Sequence, residues 1–79
     1  MHQKAPVAKR TLGQITEDRL MKFILDEPIQ VGEKIPNEYE LTEHFQVGRS
    51  TVREAVKGLV SRGVLEVRRG DGTYVISTS

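Results

Sequence analysis

The sequence predicts a mainly α-helical fold with a small β-hairpin: three helices, a two-stranded hairpin and a short extra strand after the first helix. Three observations lead to this fold. Apolar residues recur at helical spacing in three segments. Towards the C-terminus, two short alternating segments flank a glycine-containing turn. The third observation is size, because 79 residues without cysteine support one small domain with a thin core and no disulfide.

The first helix is predicted to begin after Thr11, because Thr11 and Gln14 have the spacing of a capping box. Its apolar side chains are expected to share one face: Leu12, Ile15, Leu20, Phe23 and Ile24. Pro28 ends the helix, since the residue before a proline is pushed out of the helical conformation. The preceding residues 1–10 contain a proline, show no periodicity and carry three cations. We expect them to form a flexible basic arm.

The second and third helices are separated by a turn of three residues, 46–48. A short extended segment, residues 32–36, leads to Asn37, which forms a second capping-box signature with Glu40. The third helix runs from Arg49 to about Arg62. Its predicted buried stripe consists of Val52, Ala55, Val56, Leu59 and Val60. Two helices joined by so short a turn indicate a helix-turn-helix motif.

The hairpin follows the third helix directly. Gly63 stands at the position after a helix end where left-handed backbone is needed. Residues 64–68 alternate as a first strand, residues 69–72 supply a turn with two glycines, and residues 73–76 form the returning strand. Three helices followed by such a hairpin constitute a winged helix-turn-helix domain, which we assign to residues 11–76.

Charge is segregated along the chain, although the net charge is only +1. Residues 12–47 contain eight acidic and three basic side chains, a balance of −5. Residues 49–70 contain six basic and two acidic side chains, a balance of +4. One face of the domain is therefore expected to be basic. An ordinary solvated surface with chance clustering is the simpler alternative.

The exposed side of the third helix is predicted to carry Arg49, Ser50, Arg53 and Lys57. Cations and hydroxyls at a helix N-terminus suit phosphates and base edges, so double-stranded DNA is the predicted partner. Arg53 could instead pair with a carboxylate of the second helix, such as Glu40, and only orient the motif. Lys57 is either a distal phosphate contact or a solvated cation.

The hairpin turn supplies a second candidate contact. Arg68 and Arg69 flank a turn that cannot bury them. Narrow minor grooves attract arginine through their enhanced negative potential, and Arg69, beside the glycine, is the better candidate. The alternative is that Arg69 is a solvated cation of the turn.

With these residues in place, the chain resembles the N-terminal DNA-binding domain of the GntR family of bacterial transcription regulators. Four blocks in the family's order and spacing carry the resemblance: Val31 to Glu38, Glu40-Leu41 with Phe45-Gln46-Val47, Arg49 to Val56 with Leu59, and Gly63 through Gly70 to Val75. The resemblance implies a cytoplasmic repressor or activator that binds palindromic operators as a homodimer. It also implies a small-molecule effector bound by an absent C-terminal dimerisation domain, with residues 77–79 as the start of the linker.

The resemblance further implies roles for individual residues. Family members place the third helix in the major groove and the tip of the hairpin, the wing, in the adjacent minor groove. Arg49 and Arg53 would touch bases or phosphates. Ser50 and Thr51 would bind phosphates. Gly70 would let the wing backbone enter the minor groove.

Two positions depart from the family's pattern. Tyr39 stands where the family usually has arginine, and Gly48 stands where it usually has serine or threonine. Tyr39 keeps a hydroxyl that can donate to a phosphate, but it lacks the charge and the bidentate fork of arginine. Gly48 still permits a helix start, but it provides no side-chain contact. We therefore expect a sequence preference that differs from that of relatives with both residues.

Other functions find less support in the sequence. It has no phosphate-binding loop, no His/Asp/Glu set at metal-ligand spacing and no nucleophile with a paired base, so we expect no enzyme, cofactor or metal. No apolar run approaches the ~20 residues of a membrane span. The remaining alternative is a winged-helix protein-interaction module, because a fold alone does not fix a function. The excess of cations between residues 49 and 70 argues against it.

Overall fold

Three helices and one hairpin follow each other in residues 9–79, which are described by the structure, a computed structural model. The elements are α1 (Leu12–Asp26), α2 (Glu38–Phe45), α3 (Arg49–Ser61), β1 (Leu65–Arg68) and β2 (Gly72–Val75). The two strands are antiparallel, with Leu65 opposite Val75. The predicted winged helix-turn-helix architecture is confirmed. Most of the predicted basic arm, residues 1–8, lies outside the described residues.

Two of the three helices start at the capping boxes that the sequence predicts. Thr11 Oγ1 accepts a hydrogen bond from Gln14 N at 3.1 Å, and Thr11 N donates to the Gln14 side chain at 2.9 Å. Asn37 and Glu40 form the same two bonds, each at 2.8 Å. Each box satisfies backbone donors that a helix start leaves unpaired. In contrast, α3 starts after Gly48 without a side-chain cap.

Left-handed backbone ends both helices of the helix-turn-helix motif. Gln46 adopts φ +56° after α2, and its side-chain amide donates to the Glu43 carbonyl oxygen at 2.7 Å. Gly63 adopts φ +76° after α3, as predicted. Between the two helices, Val47 packs against the core. This contact fixes the start of α3 relative to α2.

One apolar core holds the helices and the hairpin together. Its buried side chains are Leu20, Ile24, Ile35, Leu41, Phe45, Val52, Ala55, Leu59, Val64, Leu65 and Val75. The predicted buried faces are wrong at three positions, because Leu12, Ile15 and Val60 are exposed. The N-terminal half of α1 meets α3 through Gly13 and packs the fully buried Thr16 inward. Leu12 and Ile15 therefore lie at the margin of this contact.

The segment between α1 and α2 runs beside β2. Lys34 forms an isolated bridge with Tyr74, and Ile35 N donates to the Thr73 carbonyl oxygen at 2.9 Å. The predicted extra strand is thus reduced to a single bridge, because the chain turns into α2 after Asn37. This pairing places the hairpin beside the start of α2.

Candidate nucleic-acid interface

The N-terminal half of α3 presents its cationic side to solvent. Val52, Ala55 and Leu59 are buried on the opposite side, which directs Arg49 and Arg53 outward. The side chains of these arginines are 69% and 62% exposed, respectively. Both guanidinium groups are therefore accessible to a ligand.

The other predicted contacts of α3 extend this surface along the helix. Ser50 is exposed and Thr51 is half-buried in the first turn. Lys57 is exposed and stands four residues after Arg53, so it continues the row of arginines. No carboxylate among residues 9–79 forms an ion pair with Lys57.

A carboxylate of α2, Glu38, contacts both arginines of α3. Arg53 Nε donates to Glu38 Oε2 at 2.7 Å, and Arg49 Nε lies 3.9 Å from Glu38 Oε1. The alternative that Arg53 pairs with a carboxylate of the second helix is therefore confirmed, but the example suggested by the sequence, Glu40, is wrong, because its carboxylate caps α2 at Asn37 N. Sequence reasoning missed Glu38, although its place in the first turn of the preceding helix could have drawn attention to it.

A groove of about 660 Å³ lies between α3 and the hairpin. Arg53 and Lys57 border it on the α3 side, and Asp71 borders it at the hairpin turn. The apolar side chains of Val56 and Val67 also line it. One side of α3 and the C-terminal end of the hairpin turn therefore line the same groove.

Of the two arginines at the hairpin turn, Arg69 is exposed and Arg68 contacts neighbouring side chains. The guanidinium carbon of Arg68 lies 4.0 Å from the centroid of the Tyr74 ring, and Arg68 also approaches the Glu66 carboxylate at 3.4 Å. Arg69 is exposed, and it has no ion-pair partner among the described residues. Gly70 follows with φ +72°, a conformation that favours glycine. Arg69 and Gly70 are thus the free tip of the hairpin.

Three polar side chains form a cluster beside this tip. The Tyr74 hydroxyl donates to the Asp71 carboxylate, with oxygen distances of 2.8 and 2.9 Å. Lys34 Nζ lies 3.2 Å from Asp71 Oδ1. The hydrogen bond from Tyr74 and that from Lys34 lower the pKa of Asp71. The bond to Asp71 in turn raises the pKa of Lys34.

Tyr39 lies on the outer side of α2, next to the start of α3. Its side chain is exposed and borders a shallow depression together with Gly48 and Arg49. Within the described part of the chain, the Tyr39 hydroxyl has no hydrogen-bond partner. The position that departs from the family's pattern is therefore adjacent to the cationic side of α3.

Titration of Tyr74 tests the polar cluster directly. In a Tyr39→Phe variant, Tyr74 is the only tyrosine. We expect its pKa to lie above the ordinary value of 10.0, because ionisation would break the bond to Asp71 and place two negative charges together. Adding Asp71→Asn should lower this pKa towards the ordinary value, as followed by ultraviolet absorbance.

The matched control for this titration is Asp26→Asn, which removes an exposed carboxylate from α1. It should leave the pKa of Tyr74 unchanged. If the pKa of Tyr74 is the same with and without Asp71→Asn, the hydrogen bond between Tyr74 and Asp71 is contradicted.

Among residues 9–79, no group of three or more His, Asp or Glu side chains could hold a metal ion. No helix in this part of the chain is long and apolar enough to cross a membrane.

The helix-turn-helix motif, the adjoining hairpin and the exposed arginines of α3 define a winged-helix DNA-binding domain. The chain belongs to the gntR family of bacterial regulatory proteins, whose family model matches residues 12–75. This match confirms the resemblance stated from the sequence. The family consists of regulatory proteins, so the expectation that the domain is not an enzyme is also confirmed.

Individual relatives agree with this assignment. The HTH-type transcriptional repressor NanR of Enterobacter sp. (strain 638) is 35% identical over 73 residues, which are 92% of this chain and 28% of NanR. The structure of Streptococcus agalactiae GntR is 55% identical, with a TM-score of 0.79, over 82% of this chain and 32% of that one. The chain therefore spans about a third or less of these proteins.

Similar structures include complexes of AraR(DBD) with the operators ORX1 and ORE1. The AraR(DBD) chain in the ORX1 complex is 32% identical, with a TM-score of 0.76. The match covers 94% of this chain and 92% of the AraR chain. The likeness to a whole DNA-binding domain therefore extends along nearly the entire chain.

Proposed function

We propose that this domain reads double-stranded DNA for a bacterial transcription regulator, with α3 in the major groove and the hairpin tip in the adjacent minor groove. The observation that carries the proposal is the exposure of Arg49 and Arg53 on one side of α3, where Arg53 also lines the groove shared with the hairpin. A DNA backbone strand that separates a major from a minor groove fits over such a concave surface.

Each residue of α3 has a proposed role that follows from its chemistry. Arg49 and Arg53 contact guanine edges or phosphates, since an arginine fork matches guanine O6 and N7. Ser50 and Thr51 donate their hydroxyl hydrogens to phosphates at the start of the helix. Lys57, further along the same row, contacts a distal phosphate.

Residues outside α3 complete the proposed contact. Arg69 enters the minor groove, and Gly70 allows the backbone to approach because it carries no side chain. The Tyr39 hydroxyl donates to a phosphate.

The properties of the longer regulator are part of the same proposal. NanR is described as a repressor, which supports repression as the mode of action. We propose a cytoplasmic homodimer on a palindromic operator, controlled by a small-molecule effector that binds a C-terminal domain. Residues 11–76 would form the DNA-binding unit and residues 77–79 the start of the linker. Without its partner, the domain would be a monomer that binds a half-site.

A salt titration tests DNA binding against the protein-interaction alternative. The 79-residue chain is first used to select duplexes from random DNA. Its affinity for the selected duplex should then fall steeply with salt, with a log–log slope of about −4 to −5 for about five phosphate contacts. Binding without salt dependence, or no selection of duplexes, would instead support a protein-interaction module.

The selected sequences also test the proposed symmetry. A single conserved half-site is expected for the monomeric domain. The same half-site should appear twice, in inverted orientation, when the domain is fused to a dimeric coiled coil. Unrelated sequences from the two selections would contradict a palindromic operator.

A further inference from the structure

We infer that Asp71, Tyr74 and Lys34 form a clamp that positions the tip of the hairpin, Arg69 and Gly70, for insertion into the minor groove. The inference rests on the proposed role of that tip in DNA binding. It assigns to these three residues a positioning function, because none of them needs to touch DNA for it.

The clamp holds both the side chain and the backbone of Asp71. The Tyr74 hydroxyl hydrogen-bonds to the carboxylate at 2.8 Å. Lys34 Nζ lies 3.2 Å from the carboxylate and donates to the Asp71 carbonyl oxygen at 3.1 Å. Lys34 is itself anchored, because its backbone bridges to Tyr74 on β2. The last residue of the turn is therefore fixed to two other segments of the chain.

Gly72 shows how closely Lys34 lies against the turn. A Cβ atom at this position would be 2.7 Å from Lys34 Cδ, and the backbone adopts φ +155°. The aliphatic part of Lys34 thus packs directly on the backbone where β2 begins. On the other side of the turn, Asp71 N donates to the Arg68 carbonyl oxygen at 3.0 Å. Contacts with Lys34 on one side and with the Arg68 backbone on the other therefore hold the turn in place.

The same contacts decide which arginine reaches DNA. The Tyr74 ring carries Arg68 on its face at 4.0 Å, which keeps Arg68 on the flank of the hairpin. Arg69 is left at the tip without an ion-pair partner among the described residues. A fixed turn presents this arginine in one orientation, which lowers the entropy that must be lost on binding.

The negative charge of Asp71 allows two explanations of its effect on DNA binding to be distinguished. A carboxylate beside DNA repels phosphates, so its neutralisation should tighten binding if repulsion is its only effect. If Asp71 holds the turn through Lys34 and Tyr74, its neutralisation should weaken binding instead. The two explanations predict opposite signs for the same substitution.

The first experiment measures the affinity of Asp71→Asn and Tyr74→Phe for the selected duplex by fluorescence anisotropy. We expect both to bind about twofold to tenfold more weakly, the loss typical of one hydrogen bond. Tyr74→Phe removes only the hydroxyl and keeps the ring under Arg68. Tighter binding by Asp71→Asn, or unchanged binding by Tyr74→Phe, would overturn the clamp.

The second experiment places Tyr74→Phe in an Arg69→Ala background. A positioning residue acts through the tip, so Tyr74→Phe should cost much less affinity when Arg69 is absent and only the backbone at Gly70 remains at the tip. An equal loss in the two backgrounds would show that Tyr74 acts independently of Arg69, and that result would refute the inference. Thermal unfolding of each variant gives the accompanying stability.

Arg69→Ala also separates this inference from the proposed function on which it rests. If Arg69→Ala weakens binding and Tyr74→Phe does not, only the clamp fails. If Arg69→Ala leaves the affinity unchanged, the minor-groove contact itself fails, and the clamp fails with it.

Discussion

Replacement of Arg49 by alanine is expected to weaken binding to the selected duplex by about fivefold to 150-fold, the equivalent of about 1–3 kcal/mol for one arginine–guanine contact. Arg49 is the more exposed of the two arginines near Glu38 and has the longer distance to it. Binding to random DNA should fall much less, because a nonspecific duplex offers phosphates but not the correct base edge. Parallel titrations with both duplexes measure this difference.

Lys57→Ala is the matched control, since it removes another exposed cation from the same side of α3. It should weaken both duplexes about equally and reduce the salt slope by about one. The assignment of specificity to Arg49 fails if Arg49→Ala, like Lys57→Ala, loses as much affinity for random DNA as for the selected duplex.

Leu59→Ala is expected to lower the free energy of unfolding by about 2–5 kcal/mol. Leu59 is 0% exposed and lies in the part of α3 that is covered by the core. A 79-residue domain has a total stability of about 4–12 kcal/mol, so this loss is a large fraction of it. Urea unfolding followed by circular dichroism measures the change.

The neighbouring residue supplies the control, because Val60 is 39% exposed on the same helix. Val60→Ala should cost much less, about 1 kcal/mol or under. Selected DNA should raise the midpoint of Leu59→Ala unfolding, since it binds only the folded domain. Equal losses in the two variants would show that α3 is not anchored through Leu59.

The features predictable from the sequence are those set by residues close to each other in the chain. The capping boxes at Thr11 and Asn37 and the left-handed Gly63 depend on interactions within about one helical turn. Their spacing is visible in the sequence, so the number, order and approximate limits of the helices could be predicted. The exposed side of α3 also followed from its apolar spacing.

The features that were missed depend on distant residues. Arg53 and Glu38 are 15 positions apart, and Lys34 and Asp71 are 37 apart. Neither pair can be recognised by spacing, because their contact depends on how the elements pack. The exposure of Leu12 has the same origin, since the position of α3 decides which side of α1 is covered.

Under the proposed DNA contact of Arg53, Glu38 is an internal competitor for DNA. Its carboxylate occupies the Nε donor of Arg53, so a base or phosphate bound at that donor would replace one acceptor by another. An exposed ion pair contributes only about 0–1 kcal/mol, which a well-placed guanine can outweigh with about 1–3 kcal/mol. If Arg53 contacts DNA as we propose, a site without the matching guanine would gain less from displacing the carboxylate. Glu38 would then sharpen the preference of the domain for the correct sequence.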